Sequence, residues 1–257
     1  MNESSFKGFN APFVAENIIF LDEIGSTNDY AKDLGKNGTS SGTAVITAKQ
    51  SAGKGRLGRI WDGGEAKDIY LSLLLRPKGD SSRLTLMAGV CVANTLNRFL
   101  TDLDEKAMIK WPNDVVVGGR KICGILTERG EYGVVVGIGI NIGRESFPEE
   151  LLDKATSLNI ATGQKHDRAE IIKFLLTNLS LYYESFENSG VSSFIEEYGS
   201  LCVNIGKTVA IHENNVVYTA AATGISPDGK LEITLENGTK RVLDSGEVSV
   251  RGIYGYV

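Results

Sequence analysis

Two β-rich apolar runs, at residues 115–117 and 122–127, are joined across little more than Gly118, Gly119 and Arg120. No other feature of the chain constrains its architecture as strongly. So short a link closes an antiparallel hairpin, whereas parallel neighbours in a doubly wound sheet need crossovers of a dozen residues or more. Further runs rich in Val, Ile, Leu and Thr, at residues 18–24, 43–48, 69–75, 107–110 and 134–140, are bounded by Gly, Asn or Asp and predict strands. Two helical patterns interrupt them. Leu84, Met87, Ala88, Cys91, Thr95, Leu96, Phe99 and Leu100 recur at helical spacing, as do Ile171, Phe174, Leu175, Leu179, Tyr182, Tyr183 and Phe186. Asp167 followed by Glu170 has the form of a capping box opening the second helix. The first part of the chain therefore reads as α+β with a mixed or antiparallel sheet.

After about Asn204 the helical periodicity stops. Short β runs (KTVAIHE, VVYTAAATGI, KLEITLE, KRVLD, GEVSVRG) are separated by PDG and NG turns. The expected division is residues 1–203 and 204–257, the second a small all-β appendage. A unit that short buries too little surface to be robust alone, so it is expected to pack on the larger part.

Composition narrows the function. A net charge of -5 argues against a protein that coats nucleic acid, which normally shows a basic excess. Cys91, Cys123 and Cys202 are odd in number and far apart, and suggest buried reduced thiols rather than disulfides or a zinc site. The start, MNESSFKGFNAPF, lacks a basic segment leading into an apolar run, and no stretch approaches the ~20 apolar residues of a membrane span. A cytoplasmic protein without a membrane partner is expected.

Four segments carry chemistry. The first runs from Gln50 to Trp61, with Lys54, Arg56 and Arg59 interleaved among Gly53, Gly55 and Gly58. Glycine permits close backbone approach, while Lys and Arg supply charge and bidentate donors for a carboxylate or phosphate. Gly53, Gly55 and Gly58 also fit a dinucleotide fingerprint, but Arg-Ile-Trp-Asp-Gly-Gly follows where a helix should start. A basic surface loop is the plainer alternative.

The second segment is Lys110-Trp111-Pro112-Asn113-Asp114. Pro112 ends strand pairing, so Lys110 sits at a strand end beside a bend, where it either reaches solvent or faces a cleft. The third is Ser26-Thr27-Asn28-Asp29, a cap pattern opening a short helix that stops at Gly35, and a helix start also offers N–H groups and hydroxyls to a ligand. The fourth is Gly137-Ile-Gly139-Ile-Asn141, whose glycines leave room for a ligand ring or another backbone, or mark a bulge.

In order, STN, Q-x-x-G-[RK]-G-R-x-G-R-x-W, KWPND with RK-x-x-GIL-x-E at residues 120–128, and G-x-G-I-N resemble the biotin protein ligase family from about residue 20 to 145. The β-rich tail is similar to that family's SH3-like C-terminal domain. The resemblance implies a catalytic domain akin to class II aminoacyl-tRNA synthetases with a small SH3-like β-barrel after it. It implies an enzyme that joins biotin to ATP as biotinyl-5′-AMP, with Mg2+ on the ATP phosphates, and passes biotin to a lysine of a biotin carboxyl carrier protein. By the same resemblance Ser26, Thr27, Asn28 and Gln50 would border the biotin ureido ring, and Lys54, Gly55 and Arg56 would lie in a loop closing over biotin and the adenylate. Lys110 would stand between the biotin carboxylate and the α-phosphate, with Arg56 as its catalytic partner. Arg59, Trp61 and Asn141 would lie on the nucleotide side, and no protein metal ligands are implied.

Lys54 departs from the family's usual arginine, so a bidentate contact becomes a single-point one. The early start of the catalytic pattern leaves no space for a DNA-binding domain ahead of it, so operator binding is not expected. A homodimer through sheet edges fits the family. Lipoate ligation shares the fold and the adenylation chemistry, although the STN and KGR-x-GR-x-W signatures favour biotin; a non-catalytic biotin sensor is the other alternative.

Overall fold

The computed structural model describes residues 3–12, 17–61, 67–213, 216–244 and 248–252. Strands form where the apolar runs predict them: β1 (Ile18–Ile24), β2 (Thr43–Gln50), β3 (Ile69–Leu75), β4 (Met108–Lys110), β5 (Asp114–Val117), β6 (Arg120–Gly130) and β7 (Gly133–Ile140). They make one sheet in the order β1-β2-β3-β7-β6-β5-β4. β1 and β2 run parallel, joined by helix α1 (Thr27–Lys36), and the remaining neighbours are antiparallel. The β5–β6 hairpin turns on Gly118 and Gly119, both at positive φ (55° and 74°), the pair of left-handed residues that a tight hairpin demands.

Helix α2 (Leu84–Asn97) lies on one face of the sheet with α4 (Arg168–Ser189) behind it, and α1 lies on the other face over β2, β3 and β7. With both faces covered, β3 and β7 are apolar almost throughout rather than alternating. Leu73, Ile125, Val136 and Ile138 point into the main core, while Ala31, Val45, Leu74 and Val135 form a smaller cluster under α1. Each fully buried Val, Leu or Ile among them contributes roughly 1.5–3 kcal/mol relative to exposure.

Local signals explain the helix ends. Ser26, in extended backbone, accepts from Asp29 N at 3.5 Å and opens α1. Asp167 accepts from Ala169 N at 2.9 Å and opens α4. Helix α1 does not stop at Gly35 as the sequence suggests: it includes Lys36 and is closed by Asn37. Gly35 is there for proximity instead, since a Cβ would stand 2.9 Å from Tyr132 Cβ. Two short helices, α3 (Leu158–Thr162) and α5 (Ile195–Leu201), escape a reading based on apolar period because neither is long enough to display one.

The tail forms an antiparallel sheet of β8 (Thr208–Glu213), β9 (Val216–Ile225), β10 (Leu231–Thr234), β11 (Lys240–Leu243) and β12 (Val248–Gly252), ordered β11-β10-β9-β8-β12. Gly229 and Gly238 serve the PDG and NG turns at positive φ. Val209, Ile211, Leu231 and Ile233 are buried in the same core as α2 and α4, so the small sheet packs on the large one. Arg83 pins the two together, donating from Nε to Asp228 O at 2.6 Å and from Nη2 to Asp244 Oδ2 at 3.1 Å. Trp111 adds a bond from Nε1 to Gly229 O at 3.4 Å, and its N–H donates to Asn204 Oδ1 at 2.8 Å.

The three cysteines are free and buried. Among the described residues no helix is long and apolar enough to cross a membrane.

Candidate active site

The start of α1, the end of β2 and the middle of β6 and β7 enclose a polar cavity. Ser26, Thr27, Asn28 and Gln50 form one wall, Gly124, Leu126, Gly137 and Gly139 the floor, and Lys54, Gly55, Arg56 and Trp61 the roof, with Asn113 and Lys121 at the side. Eight sequence-derived candidates therefore come together: Ser26, Thr27, Asn28, Gln50, Lys54, Gly55, Arg56 and Trp61.

The wall is held in one hydrogen-bonding sense. Gln50 Oε1 accepts from Thr27 N at 2.8 Å, which leaves the Gln50 amide nitrogen to the cavity. Ser72, fully buried on β3, lies 2.7 Å from Thr27 Oγ1 and 2.6 Å from Asn28 Oδ1. A hydroxyl has one proton. The Asn28 oxygen cannot donate, so it takes the Ser72 proton, and the single Thr27 Oγ1 proton goes to Ser72 Oγ or to Gln50 Oε1, which lies 2.9 Å away. The Asn28 amide nitrogen donates to Leu126 O at 3.2 Å and to Glu128 Oε2 at 2.8 Å, which fixes the side chain's orientation.

The glycines of β7 make room for protein side chains. A Cβ on Gly137 would fall 2.1 Å from Asn28 Oδ1, and one on Gly139 would fall 2.6 Å from the Trp61 ring. Gly124 on β6 meets the same indole at 2.6 Å, so Trp61 is seated in a groove cut by two glycines. Its Nε1 is buried with no hydrogen-bond partner among the described residues, and Lys121 Nζ stands 5.2 Å from the ring centroid.

The roof is a small hairpin. Gly55 N donates to Arg59 O at 2.8 Å, Trp61 N to Gly53 O at 3.0 Å, and Lys54 pairs with Ile60. At the tip Leu57 and Gly58 adopt positive φ (57° and 72°). Leu57 and Ile60 are exposed, so the tip contributes nothing to the core. Two side chains anchor the flap: Lys54 Nζ lies 2.6 Å from Asp29 Oδ2, and Arg56 Nη1 donates to Asn113 Oδ1 at 2.9 Å. Burial lowers the Arg56 pKa from its ordinary value although nearby Asp114 opposes this; a guanidinium remains charged regardless.

Three candidates lie outside the lining. Lys110 is 6% exposed at the end of β4, directly across the ladder from Asp114. The reading of a solvent-facing lysine is thus overturned. Chain from beyond α5 covers β4 here, with Val203 N donating to Ile109 O at 2.8 Å. Arg59 is exposed on the outer arm of the flap. Asn141 is buried, and its amide donates to Thr156 O at 3.1 Å.

Several site residues had no role from sequence. Ser72 and Glu128 act through Asn28, and Lys121, 2.7 Å from Asp114 Oδ1, lines the cavity. Lys121 and Glu128 stand inside the signature at residues 120–128, a signal that was available; Ser72 had none.

Residues 20–144 match the Biotin/lipoate A/B protein ligase family, and residues 204–251 the Biotin protein ligase C terminal domain. The Bifunctional ligase/repressor BirA of Bacillus spizizenii is 34% identical over 253 residues, covering 94% of this chain and 77% of that protein. The Biotin–[acetyl-CoA-carboxylase] ligase of Paracoccus denitrificans is 27% identical over 88% of this chain and 98% of its own. Among solved structures, the biotin protein ligase from Aquifex aeolicus in complex with biotin and ATP superposes with a TM-score of 0.82 at 33% identity, covering 92% of this chain and 99% of that one. With an α+β catalytic sheet, an SH3-like tail and relatives of this identity along nearly its whole length, the chain belongs to the biotin protein ligase family.

Proposed function

We propose that this protein activates biotin with ATP to biotinyl-5′-AMP and transfers the biotinyl group to a specific lysine of a biotin carboxyl carrier protein. The observation that carries this reading is the polar cavity at the start of α1, closed by a cationic flap, in a fold shared with an enzyme solved with biotin and ATP. The wall offers both hydrogen-bond senses to a flat cyclic urea: hydroxyls at Ser26 and Thr27, and the free amide nitrogen of Gln50.

In the first step the biotin carboxylate attacks the α-phosphorus of ATP, the bond to the β-phosphate breaks, and pyrophosphate leaves. Like charges meet in that step, so catalysis rests on positioning and neutralisation. We assign the charge on the α-phosphate to Lys110 and the closed flap to Arg56 and Lys54. Lys121 adds a cation at the cavity side, and Arg59, Trp61 and Asn141 keep the nucleotide side. In the second step the acceptor amine attacks the acyl carbon, AMP departs with the bonding pair, and the amine proton passes to solvent.

Magnesium belongs to this reading as ATP's companion. Among the described residues no group of three His, Cys, Asp or Glu side chains offers it a resident site. A boundary between a catalytic unit (1–203) and an SH3-like unit (204–257), a cytoplasmic address and a sheet-edge homodimer complete the proposal.

ATP–pyrophosphate exchange, run with biotin and then with lipoate, tests it. Exchange with biotin alone is expected; exchange with lipoate alone would make the protein a lipoate ligase, and exchange with neither would leave a binding protein.

A further inference from the structure

A continuous run of hydrogen bonds and ion pairs leads from Asn28 in the pocket wall to Lys54 in the flap, through residues that touch neither substrate in the reading above. Asn28 Nδ2 donates to Glu128 Oε2 at 2.8 Å, and Glu128 Oε1 lies 2.9 Å from Lys32 Nζ. Lys32 Nζ lies 2.7 Å from Asp29 Oδ1, and Asp29 Oδ2 lies 2.6 Å from Lys54 Nζ. Carboxylates and ammonium groups alternate, so each charge has opposite neighbours. Asp29 stands in the first turn of α1, where free N–H groups and the helix dipole favour an anion. Burial alone would push the Asp29 carboxyl up, yet hydrogen bonds from Lys32 and Lys54 hold it below the ordinary aspartate value. On the flap side the contact is made by a lysine, whose single-point charge gives a weaker and more readily released tether than a bidentate arginine.

From this geometry we infer that Asp29 is a positioning residue for the ligase reaction, tethering Lys54 across the cavity mouth and tying flap closure, through Lys32 and Glu128, to the orientation of Asn28. Biotin as the ligand rests on the proposed function; the tether itself does not. The Lys54–Asp29 pair is half exposed, with side chains 49% and 42% accessible, so its loss has a modest effect. Exposed pairs of this kind correspond to about a two- to fivefold change in an equilibrium.

The test uses the full chain, with Asp29→Asn and the charge-conserving Asp29→Glu. Tryptic cleavage of the ligand-free protein at Arg56 and Arg59 reads the flap alone, and release of labelled biotin from its complex reads the coupling. Asp29→Asn is expected to speed both by about two- to fivefold and to flatten the salt dependence of release between 0.05 and 0.5 M NaCl, while Asp29→Glu behaves as wild type. A loss of fold stability alone would not remove the salt slope. Cleavage of Asp29→Asn at the wild-type rate would overturn the tether. Faster cleavage with unchanged biotin release would overturn its positioning role. Faster cleavage of Asp29→Asn, together with a wild-type protein that takes up no biotin, would instead sink the biotin reading and leave the tether standing.

Discussion

Ser72 exposes no surface, yet its single proton decides how the pocket wall presents itself to a ligand. Replacing it with alanine leaves the Asn28 oxygen without its donor, at a cost of about 1–3 kcal/mol. Calorimetry on Ser72→Ala should show biotin affinity reduced roughly tenfold or more, with ATP affinity near the wild-type value. Lys110 is tested by chemistry rather than binding: Lys110→Ala should slow pyrophosphate release on the order of 10²-fold or more, and a near-normal rate would remove its charge from the transition state. The Asp29 tether responds to salt and not to mild acid. Its folded-state pKa lies below the ordinary value of 3.8, so its contribution is present above that value and disappears only as the pH falls through the lower folded one. Biotin release measured at pH 5.5 and 8.0 at constant ionic strength should therefore show the same Asp29-dependent component.

At the level of elements, the pocket depends on how close β7 comes to its neighbours. Gly137→Ala would drive a methyl group into Asn28 Oδ1 at 2.1 Å. The strand keeps its register through β3 and β6, so circular dichroism should stay native while biotin binding is lost. Much of this arrangement can be read from the sequence. The β5–β6 hairpin, the Ser26 cap and the glycine-hinged flap are local, each written within a dozen residues. The β7 glycines are legible as a demand for space, but what fills that space comes from Asn28 and Trp61, both distant in sequence. Glu128 meets Asn28 across 100 positions, and Ser72 is a polar residue inside an otherwise apolar strand whose hydroxyl gains meaning only from the register beside α1. The local sequence leaves Lys110 open between solvent and cleft because the chain that buries it arrives some 90 residues later, an order of separation set by the Trp111–Asn204 contact. Periodicity carries none of these long-range facts.

Across the whole molecule, the small sheet is fastened to the catalytic one at the turn that follows Lys110. Arg83 is 7% exposed and binds both Asp228 O and Asp244, while Trp111 reaches the neighbouring Gly229 O. Arg83→Ala strips a buried charge-assisted bond from this joint and should lower the unfolding free energy by about 1–3 kcal/mol in urea titration. Pyrophosphate exchange should fall as well, because the loosened joint releases the segment that holds Lys110 and Asn113. The chain has two tryptophans, and each occupies one of the two joints on which the proposed cycle turns. Trp61, at the end of the flap, is seated in the groove of Gly124 and Gly139 beside Lys121, and Trp111 lies beneath the small sheet. Their indoles are thus built-in optical reporters with separate addresses: a protein carrying Trp111→Phe would emit from the flap alone, and stopped-flow fluorescence could time its opening in solution without any attached dye.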